Sequence, residues 1–192
     1  IRCGLANEFD RTDWLPLYIS REARQLSTAL EECIIEEANK IGQKLPEGSS
    51  VSDKIRLLGQ YHFKPVYLIF DQFEEIFVLG DKKEQVEFFE ILYEILDALG
   101  SVKVLISMRE EFLGYLYPYE GLIPSLFDRR MRIEAMSFLK AEQVILQSCV
   151  AFNIELENPK ESSQTIINQI RLGGSDEVSL PYLQVYLDQF YR

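Results

Sequence analysis

Two kinds of hydrophobic pattern alternate along the first two thirds of this chain. Short, continuous apolar runs are typical of strands buried on both faces of a sheet, and they occur at 14–20, 65–70 and 102–108, with a weaker run at 131–136. Longer stretches with apolar residues at every third or fourth position indicate amphipathic helices, and they occupy 21–42, 51–62 and 81–99. The alternation predicts an α/β fold of three layers, with a parallel sheet between helices.

The pattern changes near residue 137. From there on helices are predicted without strands, at 138–151, 164–172 and 180–191, separated by a polar linker (157–163) and a glycine-rich break (173–179). We therefore expect an α/β core at 1–136 and a small helical subdomain, acting as a lid, at 137–192. Residues 1–9 resemble the end of a helix that starts upstream, since Ile1, Leu5 and Phe9 share one helical face.

Composition and charge exclude several classes of protein. The 192 residues are 47% hydrophobic, enough for a packed core, and their formal net charge of −11 argues against general binding of nucleic acid. The three cysteines form no CxxC pair, so we expect neither structural zinc nor a disulfide framework, as in a reducing cytoplasm. No apolar run reaches the roughly 18–20 residues that span a bilayer, and no signal peptide is recognisable.

Charged side chains follow two of the predicted strands. Asp71, Glu74 and Glu75 come after 65–70, and Arg109 comes after 102–108. Ligands of open parallel sheets bind beyond the carboxyl ends of the strands, and a carboxylate beside a fixed cation can hold Mg²⁺ and a phosphate. The alternative is structural: Asp71 would cap the next helix, and the two glutamates would favour its N-terminal dipole.

Four stretches carry a resemblance to a known family: LANEFDRTDWLPLYISR (5–21), VYLIFDQFEEIF (66–77), VLISMREEFLGYL (104–116) and SLPYLQVYLDQFY (179–191). They resemble the STAND NTPases, a signalling branch of the AAA-related P-loop ATPases, and in particular the bacterial type often joined to WD-repeat or other sensor regions. The resemblance implies ATP and Mg²⁺ as cofactors.

The same resemblance implies a role for each strand-end residue. Asp71 would be the Walker B aspartate associated with magnesium, and Glu74, with Glu75 as the second candidate, the acid that orients the hydrolytic water. Arg109 would sense the terminal phosphate. Pro181 lies where the family's lid often carries a proline near the nucleotide, although it is equally an ordinary first-turn proline of a helix.

One motif of the family is absent from these residues. None of the ten glycines precedes a lysine, so the sequence holds no Walker A loop of the form GxxxxGK[ST]. The resemblance places that loop, and the strand leading into it, shortly before Ile1. We therefore expect the 192 residues alone to bind nucleotide poorly and to form an incomplete sheet.

Three functions remain open. The first is part of an ATP-driven signalling switch that controls self-oligomerisation or an attached effector. The second is a catalytically inactive interaction module, using acidic helices and the tyrosines of YLYPY (115–119). The third is a metal-dependent hydrolase built on Asp71, Glu74 and Glu75, which the single histidine, His62, disfavours. A basic cluster is formed by Arg129, Arg130 and Arg132. It fits surface salt bridges or, in a ring-forming NTPase, contact with the phosphate of a nucleotide bound to the neighbouring subunit.

Overall fold

The computed structural model describes residues 10, 13–170, 177–178 and 180–191, without the side chains of 177, 180, 181, 190 and 191. The predicted helix end at 1–9 lies outside the described residues. The chain divides into two compact units, Ile1–Arg129 and Arg130–Arg192. Within the described residues, no helix is both long and apolar enough to cross a membrane.

A parallel three-stranded sheet organises the first unit, as predicted. Its strands lie side by side in chain order: β1 (Leu15–Ile19), β2 (Val66–Phe70) and β3 (Lys103–Ile106). The central strand β2 is nearly all buried, as its continuous apolar run predicts. β3 is shorter than the predicted 102–108 and only partly buried.

Four helices accompany this sheet: α1 (Leu26–Lys40), α2 (Val51–His62), α3 (Glu75–Val78) and α4 (Lys82–Ala98). The bounds of α2 are those of the prediction, and its start is fixed by the Ser50 hydroxyl, which accepts the Asp53 N–H. The helical spacing of apolar residues in α4 predicts that Val86 is buried together with Phe89. This is wrong for Val86, which is exposed, whereas Phe89 is fully buried. Helical geometry turns Val86 about 60° away from Phe89, to the edge of the buried face.

Four aromatic rings pack under the turn that follows β2. They come from the end of β2, from the turn itself and from α4: Phe70, Phe73, Phe88 and Phe89. Phe88 meets Phe70 edge to face at 5.2 Å between ring centroids, and Phe73 meets Phe89 at 6.0 Å. Such contacts add to the burial of large apolar areas, so this cluster gives the carboxyl end of β2 a rigid base.

The segment after β3 forms 3₁₀ helices that the sequence pattern did not predict. They span Glu110–Tyr119 and Pro124–Phe127. Tyr119 fixes the first of them to α4: its ring stacks on Phe89 at 3.8 Å, its hydroxyl donates to the Gln85 amide oxygen, and the Lys82 ammonium donates to that hydroxyl. The tyrosine-rich 3₁₀ helix Glu110–Tyr119 therefore contributes to the core of the first unit as well as to its surface.

The second unit is mainly helical, with α5 (Phe138–Ala151), α6 (Pro159–Gln169) and α7 (Leu180–Tyr191). The short strands β4 (Met136–Ser137) and β5 (Glu177–Val178) pair antiparallel within it. The predicted sheet strand at 131–136 is therefore wrong: only Met136 is in a strand, and Met131 and Ile133 are exposed. The predicted linker at 157–163 is also wrong, because α6 starts at Pro159, a residue suited to the first helical position.

Candidate functional site

The carboxyl ends of the three parallel strands are tied together by backbone hydrogen bonds. At the last residue of β1 the Ile19 carbonyl accepts from the Asp71 N–H at 3.0 Å. Directly after β3 the Ser107 carbonyl accepts from the Phe73 N–H, also at 3.0 Å. The turn after β2 is thus held from both neighbouring strands. The backbone from Asp71 to Phe73, which carries the polar side chains of this turn, is therefore held in place by both neighbouring strands.

Asp71 is exposed at the end of β2. One of its carboxylate oxygens accepts the N–H of Gln72 at 3.1 Å, and Gln72 has a left-handed backbone with φ of +54°. This conformation is unfavourable for a residue with a Cβ and is often found at functional turns. The capping alternative for Asp71 is wrong, because the residue that precedes α3 is Glu74 and no side chain caps that helix.

Glu74 and Arg109 meet across the ends of β2 and β3, as the order of the strands predicts. A carboxylate oxygen of Glu74 accepts the backbone N–H of Arg109 at 3.4 Å. The guanidinium of Arg109 points elsewhere, since it pairs with Glu111 at 2.7 Å and is 68% exposed. An exposed pair of this kind contributes little to stability, so the Arg109 side chain can leave Glu111 at small cost.

Glu75, in the first turn of α3, is half-buried and has one unsatisfied atom. Its Oε2 is shielded from solvent and has no hydrogen-bond partner in the described part of the chain. A buried carboxylate oxygen without a partner is costly, and native structures normally supply one from protein or water. A water molecule enclosed beside Oε2 would satisfy it.

Sequence reasoning missed a buried ion pair between the residues that follow β1 and the first turn of α4. Arg21, two residues after β1, donates from Nε and Nη2 to the two carboxylate oxygens of Glu84, at 3.0 and 2.8 Å. The Arg21 and Glu84 side chains are only 13% and 5% exposed. The pKa of Arg21 is raised above its ordinary value, first by the hydrogen bond to Glu84, against the opposing effect of burial, and then by the charges of Glu84 and Glu75.

Glu84 is held from several directions. It also accepts the backbone N–H of Leu26, at the start of α1, at 3.1 Å. Its own backbone N–H donates to the Asp81 carboxylate at 2.8 Å, which is one half of the capping box that the spacing of these two residues predicts. The other half is absent because the Glu84 side chain faces Arg21. The signal that could have identified Arg21 was its place after a strand, the same signal that identified Asp71.

The donor set fits a magnesium ion that is shared with a phosphate ligand. Asp71 offers one exposed carboxylate, and the described residues contain no group of three or more His, Cys, Asp or Glu side chains placed to hold a metal. Mg²⁺ is commonly bound by one or two carboxylates, water and substrate phosphates. A hydrolase that holds its metal with protein ligands alone is not supported by this arrangement.

Pro181 is the second residue of α7. Its side chain lies outside the described part of the chain, so its nearness to a nucleotide stays a prediction. Of the cysteines, Cys33 and Cys149 are free thiols, and Cys3 lies outside the described residues.

Comparison with known proteins identifies one family. The sequence model described as Novel STAND NTPase 1 matches residues 1–192. No curated protein matches the chain. Among solved structures, the Aeropyrum pernix ORC1 protein in complex with DNA is similar with a TM-score of 0.41 and 13% identity, over 92% of this chain and 50% of that one. The chain thus spans about half the length of that protein.

Proposed function

Since the chain belongs to the Novel STAND NTPase 1 family, we propose that it is part of an ATP-binding and ATP-hydrolysing switch for signal transduction. One observation carries the proposal: Glu74, three residues after Asp71, accepts the backbone N–H of Arg109 where the carboxyl ends of two parallel strands adjoin. This is the edge of such a sheet where ligands bind. The family match supports an NTPase fold, and the strand-end residues supply the chemistry.

Each residue has a proposed role. Asp71 would bind Mg²⁺, which when bound supplies positive charge at the phosphates. Glu74, with Glu75 as the second candidate, would orient the attacking water. The hydrogen bond that the Glu74 carboxylate accepts from the Arg109 N–H supports the first of them. Arg109 would leave Glu111 and contact the terminal phosphate, where a fixed cation stabilises the charge that develops during transfer.

The unit that contains α7 would act as a lid, with Pro181 near the nucleotide. The state of this lid would control self-oligomerisation or an attached effector. We propose a cytoplasmic location, because the free thiols Cys33 and Cys149 suit a reducing compartment.

The proposal is tested by thermal unfolding with and without ATP and Mg²⁺. Two polypeptides are compared: the 192-residue chain, and one that is extended upstream of Ile1 through a phosphate-binding loop. A ligand at 100 times its Kd stabilises the folded state by about 2.7 kcal/mol, which a melting curve resolves easily. Asp71→Asn should abolish the part of the thermal stabilisation by ATP that depends on Mg²⁺. Asp97→Asn, on the exposed side of α4, should leave that part intact. Absence of any nucleotide response in the extended protein would refute the proposal.

The alternative of an inactive interaction module is favoured by one observation. Tyr115 and Tyr117 are 54% and 56% exposed, and aromatic side chains of this kind are enriched at protein interfaces. Tyr119, the third tyrosine of the same turn, is buried against α4 and would not take part. A folded, extended protein that ignores nucleotide would support this alternative.

A further inference from the structure

We propose that Gln85 is a positioning residue for the candidate site: its amide joins the segment after β2 to the 3₁₀ helix after β3, and so keeps Glu74 beside the backbone of Arg109. The inference rests on the proposed function, because it concerns the placement of two residues to which that proposal gives roles. Gln85 is the fourth residue of α4, away from the strand ends at which sequence reasoning looked for functional side chains.

The amide nitrogen of Gln85 holds the segment after β2. Nε2 donates to two backbone carbonyls, those of Ile76 and Gly80, at 3.3 Å each. Ile76 belongs to α3 and follows Glu74 by two positions, and its side chain is fully buried. The last carbonyls of a helix have no partner inside it, so Gln85 supplies donors that this short helix lacks. The end of α3 and the turn after it are therefore fixed on α4.

The amide oxygen of Gln85 holds the 3₁₀ helix after β3. Oε1 accepts from the Tyr119 hydroxyl at 3.2 Å, and that hydroxyl accepts from the Lys82 ammonium at 3.0 Å. Tyr119 is the last residue of the 3₁₀ helix that starts directly after Arg109. Its side chain is buried and its ring stacks on Phe89 of α4. The far end of this 3₁₀ helix is therefore attached to α4 through both the ring and the hydroxyl.

The chemistry of the partners leaves the Gln85 amide one orientation. Its nitrogen faces two carbonyl oxygens, which can only accept, and its oxygen faces a hydroxyl that already accepts from an ammonium. A reversed amide would bring its oxygen against the carbonyls of Ile76 and Gly80. A carboxylate at this position would meet the same carbonyls without a donor. The link between the two segments therefore needs an amide, with one of its ends for each segment.

The two segments meet again at the strand ends. There the Phe73 N–H donates to the Ser107 carbonyl at 3.0 Å, and the Arg109 N–H donates to the Glu74 carboxylate at 3.4 Å. The second bond is longer than the roughly 2.7–3.2 Å that is usual for N–H···O bonds, so it holds the two residues together only weakly. A link at Gln85 keeps the segments from separating beyond the strands and thereby maintains this approach.

A purely structural role for Gln85 is the competing explanation. The rings of Phe77 and Tyr115, 5.5 Å apart between centroids, also join the two segments. Apolar attraction is not directional, so this contact limits sliding less than hydrogen bonds do. A control for the loss of a structural contact is the ion pair of Lys54 with Glu31, which joins α2 to α1 and involves neither segment. Lys54→Gln removes that ion pair.

Two substitutions cut the link at opposite ends. Gln85→Glu keeps the oxygen that accepts from Tyr119 and loses the donors to the carbonyls of α3 and Gly80. Tyr119→Phe keeps the buried ring and loses only the hydroxyl. If Gln85 positions the site through both segments, the two variants should have the same effect at the strand ends. The double variant should add little to either, because each single substitution already breaks the link.

Hydrogen exchange in the 192-residue chain, measured for single amides by NMR, tests the placement without nucleotide. We expect both variants to speed exchange at the Phe73 and Arg109 N–H about fivefold, the effect of losing one net hydrogen bond. The Leu15 N–H, which donates to Pro65 at the other end of the sheet, should keep its rate in both. The Lys54→Gln control should not favour the first two amides over the third. Equal acceleration at all three amides, or none, would overturn the proposal.

ATP hydrolysis by the protein extended upstream of Ile1 tests the consequence. We expect Gln85→Glu and Tyr119→Phe each to lower kcat about tenfold with little change in KM, because they misplace groups that act on the reaction. The Lys54→Gln control should keep its kcat. Variants of Gln85 and Tyr119 that hydrolyse ATP as fast as this control would show that Gln85 is only structural.

A further variant covers the case in which Gln85→Glu unfolds. Gln85→Met keeps the length of the side chain and introduces no charge. Faster exchange confined to the Phe73 and Arg109 N–H supports positioning, and uniform exchange refutes it. An extended wild-type protein that does not hydrolyse ATP refutes the proposed function itself, whereas exchange in the 192-residue chain still decides whether Gln85 holds the strand ends together.

Discussion

Replacing Gly80 by alanine should destabilise the first unit through one added methyl group. A Cβ at this position would lie 2.5 Å from the Ile76 carbonyl oxygen and 2.9 Å from the Glu84 Oε2, whereas ordinary contacts begin at 3.4 Å. The Ile76 oxygen belongs to the backbone of α3 and also accepts from Gln85. The Glu84 carboxylate is held by Arg21. Neither neighbour can move without losing a hydrogen bond.

The change in the free energy of unfolding follows from two destabilising contributions and one stabilising contribution. Overpacking of this kind costs about 1–3 kcal/mol. If Glu84 gives way and its ion pair with Arg21 breaks, the cost rises towards the roughly 3–5 kcal/mol measured for buried pairs that lose one partner. Alanine reduces the entropy of the unfolded chain, which returns about 0.4–1 kcal/mol. We therefore expect Gly80→Ala to lower the free energy of unfolding by about 1–2 kcal/mol if the ion pair survives and by about 3–4 kcal/mol if it breaks.

Urea unfolding of the wild type, Gly80→Ala and a matched glycine variant measures this effect. Gly100 follows the C-terminus of the long helix α4, and a Cβ there would meet no atom within 4 Å. Gly100→Ala should therefore be neutral or stabilising by up to about 1 kcal/mol. A Gly80→Ala protein whose free energy of unfolding lies within about 0.5 kcal/mol of that of Gly100→Ala would contradict the close approach of Glu84 to this turn. It would also contradict the position of Glu84 in its ion pair with Arg21.

Three further substitutions test separate features. Phe63 ends α2 with φ of +54° and is 95% exposed, so Phe63→Gly should stabilise by about 0.5–1 kcal/mol in urea unfolding, and Phe63→Ala, which keeps the Cβ, should not. Tyr119→Phe keeps the ring but loses the hydroxyl's bonds to Lys82 and Gln85, which should cost about 1 kcal/mol by the same assay. Burial raises the pKa of the Cys33 thiol, so the folded state holds that proton more tightly than the unfolded state. The wild type should therefore lose stability as pH rises above about 8.5, and Cys33→Ala should lose less of it.

Local patterns predicted the elements whose ends are set by local chemistry. The bounds of α2 and α5 match the prediction. The Ser50 hydroxyl caps α2, whereas Ser137 precedes α5 without a capping hydrogen bond from its side chain. The pairing of β4 with β5 was not predictable in this way. It joins Met136 to Val178, and two-residue strands so far apart in the chain have no period of their own to detect. The 3₁₀ segment after β3 is likewise held by contacts of Tyr119 with another helix.

The candidate site shows the same division between local and distant information. Asp71, Glu74 and Arg109 were found because each follows a strand, and parallel strands bring such positions to one edge. The link from Arg21 to Glu84 spans 63 positions along the chain. Glu84 also had a sufficient local explanation, since its spacing from Asp81 suggests a capping box. A residue that satisfies a local rule gives no sign that its side chain also serves a distant partner.

The balance of charge at the strand ends leads to a final prediction about magnesium. Asp71, Glu74 and Glu75 follow β2 at this edge, while the Arg109 guanidinium is paired with Glu111 and the buried Arg21 guanidinium with Glu84. An ATP molecule without metal would therefore bring its own negative charges to a site of the same sign. If the proposed function holds, ATP with excess EDTA should not raise the melting temperature of the extended protein, whereas ATP with Mg²⁺ should. Asp71→Asn should narrow the gap between the two conditions. Equal stabilisation by ATP with and without the metal would show that the carboxylates do not face the phosphates.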